Sequence, residues 1–407
     1  MELGLRLLLL LLGAVASAHA QAEVVPGFAK RVVLLGIDGI APTLEPAPTL
    51  QRLMAEGAGT LNARANLPSV SVPNWASVLT GAGPSELAIS TNSWTRETAR
   101  AAPVGFDLIR SCPADASADA WDPHGCRATP RDDEPWYPNI LEMAKAAGVD
   151  VALFHDWAPL DRIFSSTFVA SDDVQTSFCA DAAVRDQYET ALDCWDGTDA
   201  AALAGGLAAI RDGATGSQSQ LVVVHQALVD EVGHASGWGS QPQLDSMAVL
   251  DARAAAIVEA IEEVDPTWEE TLLLVTAYHG GDGTGHDPYQ DQALYESRIP
   301  ELLLVPWIAY GVGVKAGTRL DDPTPGGRAG RYVNIMDTAP TVMHALGIPS
   351  PPDWHCRGTA VLEAFVATDN SGVGWGWIVL VFLCATAVGV CCGLRAGRKY
   401  QPLPMSS

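Results

Sequence analysis

The sequence predicts an α/β layer structure, a mostly parallel sheet with helices on both faces, followed by one transmembrane helix near the C-terminus. Three observations predict it. Short β-branched runs alternate with stretches of helical spacing, the first such run is apolar almost throughout, and a charge-free apolar stretch of bilayer length comes late in the chain.

The first run, Arg31 to Ile37, is what a strand buried on both faces of a parallel sheet looks like. Val149 to Phe154, Leu221 to Val224, Thr271 to Thr276 and Leu302 to Trp307 repeat the pattern. Between them, Thr49 to Glu56, Asn139 to Ala147, Leu244 to Ile261 and Met336 to Leu346 carry helical spacing. Pro349, Pro351 and Pro352 end the last of these, because proline cannot continue a helix. The segment Thr95 to Trp136 breaks the alternation, being rich in Asp, Ala, Pro and Arg. It is expected to be a surface insertion stapled by a disulfide, with a lid as one reading.

The ends of the chain address it to a membrane. Residues 1–20 join Arg6, an apolar run from Leu7 to Ala16 and an Ala18-His19-Ala20 finish, the layout of a cleaved secretory signal peptide. A folded region is expected over 27–365 and a linker over 366–372. A transmembrane helix over 373–394 and a cytoplasmic tail over 395–407 complete the chain. Trp375 and Trp377 flank the apolar stretch on one side, and Arg395, Arg398 and Lys399 on the other. Aromatic residues at the interface and positive charge inside give a type I orientation, with the folded region extracellular or lumenal. A glycolipid-anchor signal competes for the same stretch, but such signals normally end in their apolar part.

That compartment is oxidising. Cys112 with Cys126, and Cys179 with Cys194, are the local cysteine pairs, which leaves Cys356 odd. The formal charge of −24 argues against a nucleic-acid polymer as partner. A small anionic substrate stays open, since a bound dication would set the local field.

Candidate site residues follow the ends of the strands. Asp38 stands just past the first strand and His279 past a later one, while Asp230 comes a few residues after a third. Ligands of open α/β sheets bind beyond those carboxyl ends. Asp230 and His234 are four apart, so within a helical turn they face one way and can share a metal. His279 and His286 bracket a glycine-rich loop that can bring both imidazoles to one centre. Ser71 opens a helix reaching Leu79. It is either an ordinary N-cap or a nucleophile at an anion-binding helix start, with Asn74 as a hydrogen-bond donor to a phosphoryl oxygen and Ser69 as the fallback nucleophile. Asp287 and His225 lie close in sequence and are read as supporting residues.

The order Asp38, Ser71, Asp230 with His234, then His279 and His286, resembles the alkaline phosphatase superfamily. Within it, Ser71-Val72-Pro73-Asn74 is similar to the nucleophile motif of the type I phosphodiesterase and nucleotide pyrophosphatase branch. Sulfatases of the superfamily carry an Arg where Trp75 stands. The resemblance implies a three-layer α/β/α sandwich and two zinc ions. One would be held by Asp230, His234 and His286, the other by Asp38, His279, the Ser71 oxygen and a second aspartate. It further implies a phosphohydrolase acting on a small phosphodiester or nucleotide through a phosphoseryl intermediate.

One residue departs from that pattern. The second aspartate would precede His279, where this chain has Tyr278. A phenol with a pKa near 10 costs about 4 kcal/mol to ionise at pH 7, so the second metal position is expected to be weakened. Asp282 is the candidate replacement carboxylate. The alternative function is accordingly an ectodomain of impaired activity that keeps the fold for binding or adhesion.

Overall fold

In the computed structural model, the described residues are 24–40, 43–97, 110–111, 126–127, 132–213, 218–283, 285–286, 299–321, 332–351, 354 and 356–367. The signal peptide, the transmembrane helix, the Cys112–Cys126 pairing and most of the insertion between Thr95 and Trp136 lie outside them. Among the described residues no helix is long and apolar enough to cross a membrane. Pro26 to Val366 form one compact unit; Val24, Val25 and Ala367 fall in a second unit with the two ends of the chain.

Among the described residues there are ten strands: β1 (Arg31–Ile37), β2 (Ala58–Arg64), β3 (Arg110–Ser111), β4 (Cys126–Arg127), β5 (Asp150–His155), β6 (Val174–Thr176), β7 (Gln220–Gln226), β8 (Thr271–Ala277), β9 (Leu304–Gly311) and β10 (Thr318–Arg319). Eight of them make one sheet in the order β10-β2-β9-β8-β1-β7-β5-β6, and β3 pairs with β4 separately. Only β9 runs against its neighbours, pairing antiparallel with β2 and β8. The sheet is therefore mostly parallel, as its buried apolar runs require.

Helices cover both faces. Ser71–Thr80, Ile140–Ala146 and Thr338–Leu346 pack with one another, while Pro48–Glu56, Ala191–Asp212, Leu228–Ser236 and Gln241–Val264 form the opposing layer. Ser71–Thr80 is buried along its whole length, so it sits inside the protein rather than on its surface.

Two elements differ from the sequence reading. The run from Leu302 begins as a short helix, Ile299–Leu303, and becomes strand only at Leu304. The segment 336–346 opens as a tight turn over Ile335–Asp337, capped by Asn334, before the helix Thr338–Leu346. Two others gave little signal. β2, Ala-Gly-Thr-Leu-Asn-Ala-Arg, lacks a β-branched run, and Ala191–Asp212 is too rich in alanine and glycine to show a clear apolar stripe. That helix packs by close approach: a Cβ on Gly205 or Gly206 would stand 2.4 Å from Phe154 or 2.5 Å from Val224. The Cys179–Cys194 disulfide is formed, tying its first turn to the preceding loop, and Cys356 is a free thiol.

Candidate active site

Register brings the site together. Ile37 of β1 is level with Gln226 of β7 on one side and Ala277 of β8 on the other. The next residue of each strand therefore emerges on a common edge: Asp38 in the centre, Ala227 leading into the helix Leu228–Ser236, and Tyr278 followed by His279. Asp230 sits in the first turn of that helix and His234 in its last, four residues on.

Gly39 is required here. Its φ of +65° is left-handed, and a Cβ on it would lie 2.2 Å from Asp230 Oδ1, so only glycine lets Asp230 stand over the end of β1. Gly233 and Gly281 leave room for Trp238, whose ring would be 2.7 Å and 2.1 Å from a Cβ at those positions. Trp238 in turn donates to the Gly39 carbonyl at 2.6 Å and packs edge-on against His234.

Asp230 is the hub of a metal-ligand set. One ligand atom each from Asp230, His279 and His286 lie within 4.8 Å of one another, and all three residues are buried. His234 Nε2 is 3.3 Å from Asp230 Oδ2 and 3.1 Å from His286 Nε2. Asp230 Oδ1 has no hydrogen-bond donor among the described residues, although it lies 3.8 Å from His286 Nε2 and 4.0 Å from His279 Nε2. An orphaned buried carboxylate oxygen facing imidazoles is costly unless a cation completes it. Around a tetrahedral ion with bonds of about 2 Å, neighbouring ligand atoms stand about 3.3 Å apart, so the spacings fit one divalent ion.

Carbonyl groups orient the imidazoles for that task. His286 Nδ1 meets the Ser69 carbonyl at 2.7 Å and His279 Nδ1 meets the Gly280 carbonyl at 3.0 Å. The first bond places the proton of His286 on Nδ1 and leaves its Nε2 lone pair facing the centre, whereas His279 Nε2 is taken up by Asp38 Oδ1, 2.9 Å away. Burial, with His279 nearby, lowers His286 to about 4, so it is a neutral ligand at physiological pH. Burial works against the Asp230 anion, but His286, His234 and His279 outweigh it and hold the carboxyl at about 2.

Ser71 is not a cap. The N-cap of its helix is Val70, in extended backbone, and Ser71 is the first helical residue. Its hydroxyl instead faces the ligand set, 3.1 Å from His279 Nε2 and 3.3 Å from Asp38 Oδ1. Ser69 does not compete as nucleophile, because its hydroxyl donates to the His286 carbonyl.

Asn74 requires a correction. It is fully buried, and its amide donates to the carbonyls of Pro68 and Val70 at 2.8 Å and 3.0 Å while its oxygen accepts from Asn66 N–H at 2.7 Å. With its hydrogen bonds spent on the loop that leads into the helix, it shapes that loop and is turned away from the phosphate role expected of it. A different residue stands at the helix start: half-buried Asn92, whose Oδ1 accepts from Val72 N–H at 2.9 Å. No motif marks Asn92 in the sequence; only the fold brings it there.

Tyr278 faces the other way from the Asp230 set. It is fully buried, with its hydroxyl 2.5 Å from His225 Nε2. Trp75 packs on both rings, at 5.3 Å from Tyr278 and 5.4 Å from His225. His225 Nδ1 continues to Asp156 Oδ1 at 2.9 Å, and beyond Asp156 lie Thr198 and Asp199. Asp199 collects the N–H groups of Ala227 and Leu228 and the Arg253 guanidinium at 2.7 to 3.1 Å. Burial and then the neighbouring Asp156 push the Asp199 carboxyl well above the usual carboxylate range, against the opposing pull of Arg253 and the Ala227 N–H. Burial pushes Asp156 up to about 7. Asp282 turns its loop through reciprocal backbone bonds with Gly285 and is not a member of the Asp230 group; Asp287 lies outside the described residues.

Comparison with known proteins agrees with this geometry. The profile of the family described as "Type I phosphodiesterase / nucleotide pyrophosphatase" matches residues 32–339. Human ectonucleotide pyrophosphatase / phosphodiesterase 5 is similar in structure, at 13% identity and a TM-score of 0.52, over 82% of this chain and 99% of that one. A mutant of the alkaline phosphatase PafA is similar at 13% identity and a TM-score of 0.54, over 84% and 100%. The lipoteichoic acid synthase LtaP from Listeria monocytogenes is similar at 12% identity and a TM-score of 0.53, over 85% and 80%. At such identities the likeness speaks for an alkaline-phosphatase-like fold. Comparison with curated protein sequences gives no match.

Proposed function

Because the chain belongs to the type I phosphodiesterase / nucleotide pyrophosphatase family, we propose that it is a membrane-anchored, metal-dependent phosphohydrolase acting on phosphodiesters or nucleotide pyrophosphates. The observation that carries this reading is the Ser71 hydroxyl, which does not cap its own helix and instead faces Asp38 and His279.

In the proposed reaction Ser71 Oγ attacks phosphorus in line. Its proton passes to the Asp38–His279 pair, whose facing atoms are 2.9 Å apart. The bond from phosphorus to the leaving oxygen breaks, giving a phosphoseryl intermediate, and the leaving oxygen takes up that proton from the pair. Water then attacks the intermediate, the bond from phosphorus to Ser71 Oγ breaks, and the proton lost by water returns through the pair to Ser71. Asn92, rather than Asn74, would donate its amide N–H to a non-bridging oxygen. A divalent metal, zinc by family resemblance, would be held by Asp230, His234 and His286; when bound it would supply positive charge for the phosphoryl oxygens. Residues 1–20 would serve as the signal peptide and 373–394 as the membrane helix, with the body over 27–365 extracellular or lumenal.

Tyr278 favours a second reading, an ectodomain that keeps the fold for binding or adhesion, because it stands where the family places a ligand. Turnover separates the two. The purified full-length protein, stripped of metal and reloaded with zinc, should hydrolyse bis(p-nitrophenyl) phosphate faster than p-nitrophenyl phosphate. Ser71→Ala should abolish this while leaving bound metal unchanged. No hydrolysis of either ester, or of ATP, by the loaded protein would sink the hydrolase reading and leave the binding one.

A further inference from the structure

The ligand atoms that the family resemblance assigns to a second metal are engaged differently from those around Asp230. His279 Nε2 and Asp38 Oδ1 already meet at 2.9 Å, and Ser71 Oγ contacts both at 3.1 and 3.3 Å. None of these three polar atoms is orphaned among the described residues, whereas Asp230 Oδ1 is. Where a second aspartate would stand, the Tyr278 ring fills the space, stacked with its plane 22° from that of His225 and packed under Trp75.

Behind the ring, the Tyr278 hydroxyl is hydrogen-bonded to His225 Nε2 at 2.5 Å, and His225 Nδ1 to Asp156 Oδ1 at 2.9 Å. All three residues are fully buried, and Trp75 packs on the Tyr278 and His225 rings. The phenol is therefore held in place by buried partners of its own.

We propose that this centre takes one divalent cation, around Asp230, and that the Tyr278 ring, held by His225 and Asp156, occupies the space where a ligand of the second would stand. The inference rests on the metal dependence proposed above, but not on turnover.

The test is a count of ions. Full-length protein is stripped with chelator, equilibrated with excess Zn²⁺, freed of unbound ion, and its bound metal per chain measured by mass spectrometry, with Co²⁺ absorption as a second readout. The expected result is one ion in the wild type and in Tyr278→Phe, two in Tyr278→Asp, and none in Asp230→Asn. Two ions in the wild type would overturn the proposal, as would a loss of bound ion on Tyr278→Phe, which would make the phenol a ligand. A folded Tyr278→Asp that still binds one ion would also overturn it, since Tyr278 would not be what excludes the second. Should Tyr278→Asp fail to fold, the wild type and Tyr278→Phe decide by themselves, one ion in each supporting the proposal. One ion without phosphodiester turnover would sink the hydrolase reading alone; no ion in any variant would sink this inference.

Discussion

Asp156→Asn tests the buried chain through stability. Asp156 is fully buried, with its side chain between His225 and Thr198, and burial raises it to about 7 from an ordinary value of 3.8. A raised carboxyl pKa means that the folded state binds the proton more tightly than the unfolded one. The stabilisation is complete below pH 3.8 and is lost as pH rises through about 7. Over that window of about three pH units, at about 1.4 kcal/mol each, the loss is on the order of 4 kcal/mol. Asparagine has nearly the same shape, can still donate an N–H to His225, and cannot ionise. It also relieves Asp199 of a like-charged neighbour, which acts in the same direction. The assay is urea denaturation of the wild type and of Asp156→Asn from pH 4.5 to 8.5. The variant should lose ground to the wild type at low pH and gain on it steadily towards neutrality, with the difference levelling off above about pH 7. A difference that stays constant across this range would refute the reasoning, because burial would then not have raised the Asp156 carboxyl.

Three further outcomes are expected. Gly36→Ala would put a Cβ 2.4 Å from the Trp75 ring, so it should cost about 1–3 kcal/mol in chemical denaturation, the usual penalty of overpacking. Gly39→Ala meets a left-handed φ of +65° and the Asp230 carboxylate together, and should reduce bound metal in the ion count as well as costing about 1–2 kcal/mol of stability. Asn92→Ala should lower kcat about 100-fold with little change in bound metal if its amide steadies the transition state, whereas Asn74→Ala should chiefly lower the denaturation midpoint by freeing the 66–70 loop.

The strand edges were readable because both-face burial writes itself as apolar runs. β1 spans the residues its hydrophobicity indicates, and Asp38 follows it directly. The spacing of Asp230 and His234 on one helix was readable for a similar reason, since the helical period places residues four apart on one face. Asn92 and Asp156 were not readable. They come from separate segments, with no local pattern, and reach the site only through packing against the helix Ser71–Thr80 and the strand β7. Asn74 was misassigned for the converse reason. Its place in a motif suggested a role that its hydrogen bonds give to the loop backbone.

By itself the sequence determined the mostly parallel sheet, the Asp–His ligand set at its carboxyl edge and the anomaly at Tyr278, because each is carried by local period, order or residue type. Only the tertiary structure decided what that anomaly means. The register of β1 with β7 and β8 brings Tyr278 beside His225, and burial requires their polar atoms to satisfy one another. A substitution that reads in sequence as a missing ligand is, in the fold, a filled and hydrogen-bonded position.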